Sequence, residues 1–222
     1  MKKNMKTIEL FSGTKSFSKV AKEYGCTTLT IDSDVKLEPD ILVDILECPS
    51  HILTSIETDI LWASPPCTTF SVASLRHYWK DGKPKNEKCL HGIAILEKTI
   101  EIIAHTKPRY WFIENPRGMM RKVIDPLFAK HGITDYVRHT VTYCQYGLTI
   151  MKPTDLWTNC KEWQPKPACK NGAPCHQRAG RGAKTGVQGI YNLEWEKARG
   201  GSAMARGVIP PALFQEIFEN IK

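Results

Sequence analysis

Pro65-Pro66-Cys67, followed by Thr68-Thr69-Phe70-Ser71, is the stretch of this sequence best suited to nucleophilic chemistry. Two prolines stiffen the approach to the cysteine, and a thiol on a partly exposed loop can ionise and attack as thiolate. A cysteine taken alone is more often a buried structural thiol. Glu114-Asn115-Pro116 supplies a second group. A carboxyl beside a nucleophile can hold or donate a proton, whereas a solvent-facing glutamate is inert.

Further along, Cys160, Cys169, Cys175 and His176 gather soft ligands into a short span. Three thiolates and an imidazole form a valid tetrahedral zinc set, and a small loop-rich segment would need such a staple. The spacing lacks a Cys-x2-Cys knuckle, so ordinary thiols in a basic loop are the alternative. Arg178, Arg181 and Lys184 then alternate with Gly180, Gly182 and Gly186. Cations on flexible backbone suit phosphate contact, or equally a solvated linker.

The elements that must position these groups alternate along the first half of the chain. Thr7–Leu10 reads as a strand, and Phe17, Val20, Ala21 and Tyr24 then fall at helical spacing until Gly25. Thr27–Ile31, Ile41–Val43, Asp59–Ala63 and Tyr110–Ile113 read as further strands. Ile93, Leu96, Ile100 and Ile103 mark a helix over Cys89–Thr106. This order implies a parallel sheet with helices on its faces, whose ligands sit beyond the carboxyl ends of the strands. Gly13, Asp32, Asp44, Cys67 and Glu114 all follow a strand, so they are expected along one edge. Residues 134–157 read as an antiparallel hairpin around Gln145-Tyr146-Gly147, and residues 158–189 as a loop-rich insert. Pro210-Pro211 opens a final helix with Leu213, Phe214, Ile217 and Ile221 on one face.

Composition bounds the rest. With 222 residues, 41% of them hydrophobic, the chain can bury a core, which excludes wholesale disorder. Mean hydropathy is −0.33. No apolar run approaches the ~20 residues of a membrane helix, and the basic start lacks a signal peptide's apolar stretch. Eight cysteines without an export signal are expected as reduced thiols, so the expected location is the cytoplasm. The formal charge of +8 is uneven: residues 150–209 carry ten Lys and Arg against four Asp and Glu. That block fits a docked polyanion, with nucleic acid the commonest, or a solvated basic surface.

Phe11-Ser12-Gly13, Pro65-Pro66-Cys67 and Glu114-Asn115-Pro116, in this order and spacing, resemble the cytosine carbon-5 DNA methyltransferase family in a small, phage-like form. The resemblance spans about residues 7–157 and 205–221. It implies an α/β fold: a Rossmann-like S-adenosylmethionine-dependent methyltransferase sheet with helices on both faces and a small loop-rich insert. It also divides the chain into a catalytic and cofactor-binding core (1–157), a reduced target-recognition region (158–204) and a C-terminal helix returning to the core (205–222). Cys67 takes the place of the family nucleophile and Glu114 that of its partner. Phe11, Ser12 and Gly13, with Pro65, would hold the cofactor; Asp32 would accept from its ribose hydroxyls and Asp44 would face the adenine amino group.

Two departures stand out. Lys15 and Ser16 occupy places where the family's turn usually has glycines, and the arginine-rich motif after Tyr146-Gly147 is missing. Lys152 is left as the cation to contact the base or its phosphate. The implied partner is double-stranded DNA with one cytosine flipped out, bound by a monomer. The alternatives are the same chemistry on RNA or a nucleotide, and a catalytically weak nucleic-acid-binding homologue. A dinucleotide oxidoreductase is disfavoured because no Gly-x-Gly-x-x-Gly follows the first strand.

Overall fold

Alternation within the strands builds the two faces of the central sheet. In β4 (Ile60–Ala63) and β7 (Tyr110–Pro116), Leu61, Ala63, Trp111 and Ile113 point to one side, while Ile60, Trp62, Tyr110 and Phe112 point to the other. All eight are buried, as expected of strands covered on both faces. The structure is a computed structural model and describes residues 4–49, 53, 55–176 and 207–221.

The other strands of this sheet are β1 (Lys6–Leu10), β2 (Thr27–Asp32), β3 (Ile41–Leu42), β8 (Val137–Thr142) and β9 (Pro153–Thr158). The spatial order is β3-β2-β1-β4-β7-β9-β8. Strands β3, β2, β1, β4 and β7 pair in parallel, and β9 pairs antiparallel to both β7 and β8. A two-stranded ribbon, β5 (Trp79–Lys80) and β6 (Lys83–Pro84), lies outside it. The strand order reverses between β1 and β4, which opens a crevice at the carboxyl edge.

Helices cover both faces. On one side pack α2 (Glu87–Thr106), through Leu96, Ile100 and Ile103, and α3 (Met120–Lys130), through Ile124 and Phe128. On the other lie α1 (Ser16–Glu23), with Phe17, Val20 and Ala21, and α4 (Pro211–Asn220), with Leu213, Phe214, Ile217 and Phe218. The asparagine before α2 caps it: the Asn86 side chain accepts from the Cys89 amide at 3.0 Å.

The fold class matches the sequence reading, with two differences of extent. Strand β7 runs through Glu114 and Asn115 to Pro116, because β9 pairs with that whole stretch. Helix α3 escapes the periodicity analysis, since Pro126 interrupts its interior. Its anchor is polar and buried. Asp155 of β9 is fully buried and accepts a bidentate pair of 2.5 Å bonds from Arg121 of α3, with Thr140 donating to the same carboxylate at 2.8 Å.

Candidate active site

The Pro65-Pro66-Cys67 loop leaves β4 beside β7, where Ala63 pairs with Ile113. Asn115 fixes it there: its side-chain amide donates to the Pro65 carbonyl at 2.9 Å. Beyond the cysteine the loop is clamped against two glycines. A Cβ on Gly118 would stand 2.1 Å from the Phe70 carbonyl oxygen, and one on Gly92 of α2 would stand 2.3 Å from Thr69 Oγ1. The Met119 amide donates to the Phe70 carbonyl at 2.7 Å. Held in this way, Cys67 begins a helical turn and stays exposed.

Glu114 is buried one position before Asn115, and the Tyr143 hydroxyl donates to its Oε1 at 2.8 Å. Tyr143 is fully buried, and its hydroxyl is pushed well above its usual pKa by burial and then by the charge of Glu114. It therefore stays a donor and fixes the carboxyl in one orientation. Cys67 also acts electrostatically on Tyr143, so thiol, phenol and carboxyl share one neighbourhood. Lys152 joins them by placing its ammonium 4.7 Å from the centre of the Tyr143 ring. Tyr143 was not singled out in the sequence; only the β8–β9 hairpin brings it over Glu114.

The expected cofactor residues cluster at the carboxyl ends of β1, β2 and β3. Phe11, Gly13 and Lys15 all have positive φ, near +50°, an uncommon state for Phe and Lys. Lys15 thus adopts the left-handed conformation that a glycine would take without strain, and its ammonium donates to the Glu38 carbonyl. Asp32 draws the turn onto β2 by accepting from the Gly13 amide at 2.9 Å. The Val43 amide donates to the Asp32 carbonyl at 3.0 Å, which carries Asp44 alongside.

This edge fits a polar, nucleoside-bearing cofactor. Among the described residues, Ser12 Oγ is buried without a hydrogen-bond partner, and so are Thr69 Oγ1 and Asn115 Oδ1 near the cysteine loop. Beneath the turn, Glu9 accepts from the Phe17 and Ser18 amides at the start of α1, at 3.2 and 3.0 Å. Burial pushes its carboxyl up to about 7 despite these bonds.

Residues 5–130 match the family model for C-5 cytosine-specific DNA methylases. The chain belongs to that family. Over 223 aligned residues it is 29% identical to a protein of Frog virus 3 (isolate Goorha) named "Probable DNA (cytosine-5)-methyltransferase", covering 97% of this chain and 99% of the viral one. Among solved structures it resembles the Entamoeba histolytica methyltransferase EhMeth, with a TM-score of 0.53 and 13% identity, over 74% of this chain and 56% of that one. The S. pombe Dnmt2 methyltransferase is similar, with a TM-score of 0.50 and 13% identity over 72% and 51%. The chain thus spans about half the length of these solved structures, and at such identities they support the fold alone.

The metal expectation needs one correction. The ligand atoms of Cys144, Cys169, Cys175 and His176 lie within 4.8 Å of one another, and Cys160 is not among them. Antiparallel pairing explains this. Cys160 follows β9 at the end where Thr158 pairs with Val137, whereas Cys144 follows β8 at the opposite end, where Thr142 pairs with Pro153. About 20 Å of strand separates the two ends. Cys160 is instead buried with Trp163 and Phe214, its thiol directed to Glu162 at 3.7 Å. Arg178, Arg181 and Lys184 lie outside the described residues. Among the described residues, no helix is long and apolar enough to cross a membrane.

Proposed function

We propose that this DNA cytosine-5 methylase works through a covalent bond from Cys67 to carbon 6 of a cytosine turned out of its duplex. The observation that carries this reading is the tie from Asn115 to Pro65, which fastens the exposed cysteine loop beside the carboxyl of Glu114. Within a stacked duplex, carbon 6 is closed to a side chain, so the base must leave the stack.

The Cys67 thiolate adds to carbon 6 while Glu114 delivers a proton to ring nitrogen 3, so no net charge accumulates on the ring. Tyr143 keeps the Glu114 carboxyl aimed during this transfer. The electron pair released at carbon 5 takes up the methyl group that S-adenosylmethionine supplies when bound. Loss of the carbon-5 proton to a base then restores the double bond and expels Cys67 as thiolate, while the nitrogen-3 proton returns to the Glu114 carboxylate. Phe11, Ser12, Gly13 and Pro65 line the cofactor's place, with Asp32 for the ribose hydroxyls and Asp44 for the adenine amino group. Lys152 faces the base or its phosphate. Residues 158–204 serve as a reduced recognition region whose Arg178, Arg181 and Lys184 contact phosphates. Thiol and carboxyl come from the same chain, so a monomer suffices.

Bisulfite sequencing of DNA from cells expressing the protein tests the substrate. New 5-methylcytosine in a defined sequence context is expected, and its loss in Cys67→Ser cells ties it to this site. Methyl transfer to RNA with none to DNA would overturn the substrate assignment.

A further inference from the structure

Cys144 enters the turn that follows β8, while Cys169, Cys175 and His176 arrive from a segment without helix or strand. Four soft ligands from stretches that distant converge to within 4.8 Å. The His176 Nδ1 stands 3.6 Å from both the Cys169 and the Cys175 sulfurs. A tetrahedral zinc with bonds of about 2.3 Å to sulfur and 2.0 Å to nitrogen separates such atoms by about 3.5 Å. The Cys169 and Cys175 sulfurs are 3.2 Å apart, well beyond the ~2.05 Å of a disulfide. Adjacent Cys175 and His176 both reach the cluster, so the short spacing is no obstacle.

We propose that Cys144, Cys169, Cys175 and His176 bind one zinc ion that fastens the 169–176 segment onto the turn carrying Tyr143. The surroundings are arranged for such a joint. The Cys169 amide donates to Thr142 Oγ1 at 2.8 Å, and the Lys166 amide donates to the Tyr146 hydroxyl at 3.0 Å. A divalent ion would let all three cysteines serve as thiolates. Ligation through Nδ1 puts the imidazole proton on Nε2, so the Gly172 amide, 3.3 Å from Nε2, must turn aside on binding. The ion would bind next to Tyr143 and so join the recognition segment to the residue that holds Glu114.

Elemental analysis of the full chain, purified without a metal-affinity tag, should find one zinc per molecule. Cys144→Ser should reduce it severalfold, and Cys160→Ser should leave it at one. Replacement of zinc by cobalt in the wild-type protein should give the intense absorption of tetrahedral thiolate ligation, a measurement that needs no variant to fold. Absence of zinc in fresh protein, a Cys169–Cys175 disulfide by mass spectrometry, or zinc lost in Cys160→Ser but kept in Cys144→Ser would each overturn the proposal. None of these outcomes depends on whether DNA is methylated.

Discussion

Tyr143 and Asp32 hold their partners through side-chain hydrogen bonds whose removal has separable consequences. Tyr143→Phe deletes the donor to Glu114 while leaving the ring under Lys152. A bond to a charged group is worth about 1.5–3 kcal/mol, so kcat should fall about tenfold or more while cofactor affinity holds. Steady-state kinetics on a methylatable duplex checks this, and a change confined to the cofactor KM would contradict it. Asp32→Ala removes both the proposed ribose acceptor and the anchor of the Gly13 amide. Calorimetry should show S-adenosylhomocysteine binding weakened by about tenfold or more; unchanged affinity would place the cofactor elsewhere. Cys67 and Glu114 were legible as residues because their neighbours are diagnostic. Tyr143 was not, because a tyrosine 29 positions from its partner leaves no local signal.

At the scale of elements, the strands and amphipathic helices could be read because the period of burial is written in the sequence. The clamps between elements could not. Gly118 and Gly92 matter for an absent Cβ, and what that Cβ would strike is fixed by tertiary contact alone. Gly118→Ala would push the Phe70 carbonyl, and with it the cysteine loop, out of place. Methyl transfer should drop about tenfold or more while S-adenosylhomocysteine binding persists, as paired rate and calorimetric measurements would show. Glu9 beneath α1 gives a pH signature. Its folded pKa of about 7 lies above its ordinary 4.5, so the folded state favours the protonated form. The resulting stability is complete below about pH 4.5 and is lost as pH rises through 7, a change of about 3 kcal/mol. Urea midpoints at pH 5.5 and 8 should therefore fall more for the wild type than for Glu9→Gln; parallel changes would contradict this.

For the molecule as a whole, the strand order reverses between the parallel strands β1 and β4, placing the turn after β1 on one side of the crevice and the cysteine loop after β4 on the other. The excess of basic residues is concentrated in residues 150–209, with ten Lys and Arg against four Asp and Glu. Composition showed that block, whereas the misassigned Cys160 shows the limit of reading ligands by proximity in sequence. The β8–β9 hairpin sends residues 144 and 160 to opposite ends. The covalent bond at Cys67 is the point on which the whole account turns. Fluorine at carbon 5 cannot leave as a cation, so a duplex pool carrying 5-fluorocytosine should trap the enzyme after methyl transfer. The account predicts an adduct that needs S-adenosylmethionine, survives denaturing electrophoresis, maps to Cys67 by mass spectrometry and is absent in Cys67→Ser. An adduct that persists in Cys67→Ser, or that maps to Cys144 or Cys160, would contradict it.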